Sequence, residues 1–236
     1  MTISVIIPAY NEEKYIGETL KSIISSAPEN LLEIIVVNNA STDNTAGVAG
    51  QFSQVKLVNE YHKGVTRARQ AGFLAARGDI LAFIDADTHV SQEWFGVLNS
   101  QFAADSLLVG LSGPYEYYDL TESKRLLADF WYFCAKFLSL VHSSVVIIGN
   151  FAAKRRALLA VGGFDTRIEF YGDDTDIALK LKKLGKVKFL KDFQPSSSAR
   201  RLNGQGLLVT AFYYAINYFS MIILKRPVTF KYIDIR

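Results

Sequence analysis

FIDADTHV, residues 83–90, is the stretch that decides how the rest of the chain reads. An apolar run ends abruptly in Asp85 and Asp87, with His89 two positions further on. Side chains alternate along an extended strand, so these three groups would face one way. Two unpaired carboxylates on one face repel, and a divalent cation relieves that repulsion. Oxygen ligands suit Mg²⁺ or Mn²⁺, ions that commonly bridge to substrate phosphates. The plainer alternative makes Asp87 a helix N-cap and leaves Asp85 solvated.

Upstream of this stretch, short apolar runs alternate with helical patterns. Ile3–Ile7 is a β-branched run stopped by Pro8, and Asn11 is placed to cap a helix with Ile16, Leu20, Ile23 and Ile24 on one face. Ile34–Val37, Val55–Val58 and Ile80–Ile84 read as further strands. Ser41 or Thr42 is placed to cap a short helix between the first two of these. Gly64–Ala76 reads as a helix closed by Gly78, and Ser91 caps another that carries Trp94, Leu98 and Phe102. Fully apolar strands separated by helices predict an α/β fold, with a mostly parallel, Rossmann-like sheet covered on both faces. Ligands in such sheets sit beyond the carboxyl ends of the strands. The second half is less regular. It offers a strand near Leu107–Ser112, an aromatic-rich helix over Ser123–Val141, a GGFD turn at 162–165 and a helix over Asp174–Leu184.

Composition fits one fairly large domain, or a domain with an appendage. The 236 residues are 50 % hydrophobic, which excludes a disordered chain. A net charge of +3 is too small to argue for nucleic acid as a partner, and it allows an anionic ligand or membrane surface. One cysteine, Cys134, excludes an internal disulfide framework and fits a reducing compartment. MTISVIIPAYNEE reads as a strand entering a loop rather than a signal peptide.

Polar clusters follow the other strands as well. PAYNEE places Tyr10 and Glu12 after the first, and NNASTDNT places Asn38, Asn39 and Asp43 after the second. HKGVTRARQAG places Gly64, Arg67 and Arg69 after the third. Cations in a first helical turn oppose the helix dipole, which points to an anion nearby. Each cluster alone has a dull explanation as a turn, a cap or a solvated face. Four of them at four successive strand ends converge in space.

PAYNE, VVNNASTDNT, KGVTRARQAG, FIDAD, GGFD and GDDTDIALKLKKLG, in this order and spacing, resemble glycosyltransferase family 2 with the GT-A fold. The resemblance covers about residues 3–190. It implies a glycosyltransferase that moves a sugar from a nucleotide diphosphate sugar to an acceptor hydroxyl, with inversion and usually with Mn²⁺ or Mg²⁺. By that similarity Pro8, Tyr10 and Glu12 line the base and ribose pocket. Asn38 and Asn39 stand where an aspartate usually contacts the base, so the base stays open: a UDP-sugar is favoured, with GDP- and dTDP-sugars as alternatives. Arg69 matches a basic position of the donor site. Asp85, Ala86 and Asp87 match the DxD motif, with Asp87 as the direct metal ligand and Asp85 nearer the ribose or donor sugar. His89 matches a further ligand position found in some relatives. Asp174 matches the general base, in the second place of its acidic pair. Asp173 stands where glutamate is commoner. Acids also favour helix N-termini, so these residues have a capping reading too.

Leu207–Leu224 carries no charge and is followed by Lys225 and Arg226. Its mixture of Thr210, Asn217 and Ser220 with several aromatics suits an interfacial or buried helix better than a spanning one. The expected division is 1–204 as the catalytic domain and 205–236 as an apolar C-terminal helix and tail. Arg200, Arg201, Lys225 and Arg226 would meet lipid phosphates, and Phe130, Trp131, Phe133, Phe137 and Leu138 would add to the same surface. The expected location is cytoplasmic, at the inner face of the cytoplasmic membrane, with a glycan or lipid-linked acceptor. The basic run Lys180–Lys191 reads as a solvated helix face.

Two other functions compete. A sugar nucleotidyltransferase would carry a glycine-rich basic loop after the first strand, where PAYNEE is acidic. A non-catalytic nucleotide-sugar or glycan-binding module would leave the acidic residues without a task.

Overall fold

The computed structural model describes residues 1–142 and 145–229. Residues 230–236 of the expected C-terminal tail, and the side chains of Trp131 and Leu138, lie outside the described residues. The chain runs β1 (Ile3–Ala9), α1 (Ile16–Ser25), β2 (Leu31–Asn39), α2 (Thr45–Gly50), β3 (Val55–Glu60), α3 (Val65–Ala75) and β4 (Ile80–Ile84). It continues through β5 (Thr88–His89), α4 (Gln92–Ala104), β6 (Leu108–Ser112), β7 (Glu116–Tyr117), α5 (Glu122–His142), β8 (Asn150–Lys154) and α6 (Arg155–Ala160). The last elements are α7 (Asp173–Lys182), β9 (Lys186–Phe189), β10 (Ser196–Ser197), α8 (Arg200–Gln205) and α9 (Leu207–Leu224).

Seven strands form the main sheet in the order β3-β2-β1-β4-β8-β6-β9. β1 pairs parallel with β2 on one side and β4 on the other, while β8 runs antiparallel to both its neighbours. The strand order reverses between β1 and β4, which opens a crevice at their carboxyl ends. A second, three-stranded sheet, β5-β10-β7, lies beyond that crevice.

Strand alternation divides the core between two layers. Ile3, Val5, Ile7, Ala82 and Ile84 pack with Ile16, Leu20 and Ile23 of α1 and with Trp94, Leu98 and Phe102 of α4. Ile6, Val37, Leu81 and Phe83 face the other way, onto Phe73 of α3 and Ile177 and Leu181 of α7. Both faces are therefore buried, which is why these strands read as unbroken apolar runs.

Several local expectations change. Asn11 does not cap α1; it adopts φ +52° and its Oδ1 accepts from the Thr42 N–H at 2.9 Å. α2 begins at Thr45, where Asp43 rather than Ser41 or Thr42 accepts the Thr45 N–H at 3.0 Å. The basic run at 180–191 is split between α7 and β9, and Lys186 and Lys188 both pair with Asp105 at 3.2 Å.

Candidate active site

β4 delivers Asp85 to the crevice, where the Asp85 N–H donates to the Gly149 carbonyl at 3.2 Å. The chain then turns, with the Thr88 N–H returning to the Asp85 carbonyl at 3.2 Å. This turn removes the extended alternation expected for Asp85, Asp87 and His89. Ala86 is buried in the core between the two carboxylates, and its carbonyl accepts from Thr19 Oγ1 at 2.8 Å. Asp85 Oδ2 accepts from the Tyr115 hydroxyl at 3.0 Å, and its Oδ1 lies 3.6 Å from Arg69 Nη2. Asp87 is buried, with Oδ2 2.7 Å from Arg200 Nε. His89 pairs through β5 with Ser196, and its ring stacks on Tyr118 at 5.5 Å. Among the described residues, no three His, Cys, Asp or Glu side chains gather into a metal-holding cluster. The donor chemistry still fits Mg²⁺ or Mn²⁺. Such ions need only one or two carboxylates when phosphate oxygens and waters complete the shell.

α3 and α7 bring the second half of the site. Arg69 is buried on α3 and its Nη1 lies 2.5 Å from Asp173 Oδ2. This one guanidinium therefore faces both Asp173 and Asp85. Gly172, at φ +95°, starts α7; a Cβ there would lie 2.8 Å from Met221 Cγ, so glycine serves both the turn and the close approach. Asp174 Oδ1 accepts from the Thr175 N–H at 2.6 Å and from its hydroxyl at 3.2 Å. Desolvation, followed by the neighbouring Asp173 charge, pushes the Asp174 carboxyl up to about 7. Burial also raises Asp173, with the Arg69 guanidinium pulling the other way.

Asp85, Asp87, Asp173 and Asp174 share one cavity of about 370 Å³. Its wall comes from Tyr115 and Tyr117 near β7, Tyr132 of α5, Ile147 and Gly149 before β8, and Thr210, Tyr214 and Tyr218 of α9. The Tyr132 hydroxyl donates to that of Tyr117 at 2.8 Å. None of Pro8, Tyr10, Glu12, Asn38 or Asn39 lines this cavity.

Those five residues lie at the carboxyl ends of β1 and β2 and in the loop after β1. Pro8 is buried in β1 opposite Val37. Lys63 Nζ stands 3.9 Å over the Tyr10 ring. Asn38 Nδ2 donates to Asn59 Oδ1 at 3.1 Å. Asn39 is buried, donates to the Glu60 and His62 carbonyls and accepts from the Gly64 N–H at 2.8 Å, so its amide holds the loop after β3. Glu12 is 1 % exposed and its Oε1 lies 2.5 Å from Arg200 Nη2.

Arg200 was expected to meet lipid phosphate. It turns inward instead, joining Glu12 of the first strand-end loop to Asp87 of the fourth. Burial opposes its charge, but Glu12 and Asp87 more than offset that and hold the guanidinium cationic. Arg201 also turns inward, 4.6 Å over the Phe170 ring. The signal used for Arg67 and Arg69, cations at a helix start, was present at 200–201 as well. Tyr115 and Gly149 carried no such signal.

The sequence model described as "Glycosyl transferase family 2" matches residues 4–162. The probable glycosyltransferase YdaM of Bacillus subtilis (strain 168) is 29 % identical over 201 residues, covering 78 % of this chain and 47 % of YdaM. The chain thus spans about half the length of that relative. Among solved structures, the mannosyltransferase PcManGT from Pyrobaculum calidifontis, in complex with GDP-Man and Mn²⁺, superposes with TM-score 0.75 at 21 % identity. That match covers 94 % of this chain and 64 % of PcManGT. Glucosyl-3-phosphoglycerate synthase from Mycobacterium tuberculosis, in complex with Mn²⁺, UDP and phosphoglyceric acid, gives TM-score 0.68 at 22 % identity, covering 95 % and 78 %. At these identities the likeness establishes the fold: the mostly parallel sheet that the strand pattern predicts, in the GT-A architecture that the motif resemblance implies.

Proposed function

We propose a specific chemistry for this chain, which belongs to glycosyl transferase family 2: inverting, metal-dependent transfer of a sugar from a nucleotide diphosphate sugar to an acceptor hydroxyl, with Asp174 as general base. The observation that carries this reading is Asp174 itself. Its carboxyl is raised to about 7 and lines the same cavity as the Asp85–Asp87 pair. A base poised near neutral pH is suited to taking a proton from a hydroxyl.

In the proposed step the acceptor oxygen attacks the anomeric carbon as the bond to the diphosphate breaks. The hydroxyl proton passes to Asp174 Oδ2, because Oδ1 is held by Thr175. Arg69 keeps Asp173 paired, which leaves Asp174 as the carboxylate that receives the proton. A divalent cation held by Asp87 and Asp85 would neutralise charge on the departing diphosphate. Asp85 orients the donor sugar with help from Tyr115. Tyr10 and Asn38 offer a face and an amide to the base, and Pro8, Glu12 and Asn39 shape the loops around it. His89 is left as a support for the second sheet.

The acceptor enters through the aromatic cavity, and the two parts expected at 1–204 and 205–236 work together there, because α9 supplies one wall. α9 is built inside out for water. Thr210, Asn217 and Ser220 are buried, whereas Leu208, Phe212 and Ile223 are 73 %, 63 % and 73 % exposed. Asn217 satisfies itself internally, donating to the Tyr213 carbonyl at 2.7 Å and accepting from the Val228 N–H at 3.1 Å. Leu127, Phe130, Phe133 and Phe137 of α5 are exposed as well. Two apolar helix faces beside the cavity support attachment to a membrane surface from the cytoplasmic side, and a lipid-linked acceptor.

Calorimetric titration with UDP, GDP and dTDP, each with and without Mn²⁺, tests the donor half. Binding of one nucleotide that strengthens with Mn²⁺ is expected. Tight binding indifferent to metal would remove the roles given to Asp85 and Asp87. No binding of any nucleotide would favour the non-catalytic module.

A further inference from the structure

Arg200 joins two buried carboxylates, Glu12 and Asp87. Its Nη2 lies 2.5 Å from Glu12 Oε1 and its Nε lies 2.7 Å from Asp87 Oδ2. Both carboxylates are buried, so each needs a positive partner in the folded chain. Asp87 is also the residue assigned above to the divalent metal. A guanidinium and a divalent cation within reach of one carboxylate repel each other strongly where water is scarce. They cannot share Asp87 at full strength.

We propose that Arg200 is a built-in counter-cation that competes with the divalent metal for Asp87, so that the metal binds firmly only when the Arg200–Asp87 pair parts. The inference rests on the metal reading of Asp87 given above. A parted Arg200 needs a new anion for its Nε edge, and its planar fork suits a diphosphate oxygen pair. Metal and nucleotide therefore bind cooperatively in this chain. Each alone meets a site whose charges are already matched; together they replace the internal pair. Arg200 is the first residue of α8, which Gly206 joins to α9. Arg200 acts here as a positioning residue.

Free Mn²⁺ measured by electron paramagnetic resonance, on the full chain without nucleotide, tests this. Arg200→Gln should tighten Mn²⁺ binding by about tenfold or more, and Arg200→Lys should stay near wild type. In wild type UDP should tighten Mn²⁺ binding, and in Arg200→Gln that coupling should shrink toward none. A merely structural Arg200 predicts weaker metal binding in Arg200→Gln, and that result overturns the proposal. So does unchanged affinity, provided Asp87→Asn still weakens Mn²⁺ binding in the presence of UDP. If Asp87→Asn binds Mn²⁺ as wild type does with UDP, the metal reading itself falls. Arg200→Gln leaves Glu12 charged and buried; should it not fold, Glu12→Gln with Arg200→Gln removes both charges and should show the same tightening.

Discussion

Gly149 stands so close to Asp85 that a Cβ added to it would lie 2.0 Å from the Asp85 carboxylate oxygen Oδ2. The same atom would lie 2.1 Å from the Tyr115 hydroxyl. Neither distance is tolerable, so any side chain here displaces the carboxylate, the phenol or the loop. Gly149→Ala should therefore raise the donor KM by about tenfold or more, since a displacement near 1 Å is costly at a reacting centre. The fold should survive, because Gly149 lies outside the sheet. Steady-state kinetics with circular dichroism as a control decide it; unchanged kinetics would show that Asp85 has no fixed role.

Asp174→Asn separates catalysis from stability. kcat should fall by about 10²–10⁴-fold, the usual range for loss of a general base. Wild-type kcat/KM should climb with pH and level off above about 7, where Asp174 is ionised. Stability runs the other way. The folded pKa lies above the ordinary value of 3.8, so the contribution of Asp174 is intact below about 4 and is lost as pH rises through about 7. Asp174→Asn should consequently melt higher than wild type at pH 8 and nearly equal to it at pH 4. Full activity in the variant would end the base assignment.

Asn150 is fully buried at the start of β8 and is hydrogen-bonded at both ends. Its Oδ1 accepts from Trp94 Nε1 at 2.9 Å, and its Nδ2 donates to the Gly113 and Phe193 carbonyls at 3.1 and 2.6 Å. Asn150→Leu orphans these groups inside the core and should cost about 3 kcal/mol. A melting point roughly 6–12 °C lower is expected for a chain of this size. A shift under about 2 °C would mean that water replaces the amide.

The outward face of α9 should bind vesicles that contain anionic lipid. Cosedimentation is expected for wild type and should be largely lost when Leu208, Phe212 and Ile223 are together changed to serine. None of these three lines the cavity, so nucleotide titration should not change. Protein that stays wholly in the supernatant at low salt would sink the membrane reading.

β1, β2 and β4 were legible because burial on both faces writes an unbroken apolar run into each of them, whereas β3, at the sheet edge, is part-exposed and carries Lys56. Ser91 was legible as a cap because its hydroxyl accepts the Trp94 N–H, a purely local bond. β8 was not legible. Asn150–Lys154 is strand only because β4 and β6 flank it, and NFAAK has no period of its own. The two-residue strands β5, β7 and β10 are shorter than any periodicity can register. Asp85 and Asp87 stood out as acids at a strand end, but their partners did not. Arg69, Tyr115 and Arg200 arrive from three distant segments, and only the folded chain shows which carboxylate each one faces. Arg200 in particular was read from the uncharged stretch 207–224 that follows it, rather than from its neighbours in space, which are acids.

The cavity is assembled from two parts of the chain. Asp85 and Asp87 lie within residues 4–162, the stretch that the family model matches. Thr210, Tyr214 and Tyr218 of the opposite wall come later in the chain, from α9. On the proposed roles, α9 lines the acceptor side of the cavity while Asp85 and Asp87 serve the donor side. Sequence change confined to α9 would then read as a change of product, with the sheet, the strand-end carboxylates and Asp174 untouched.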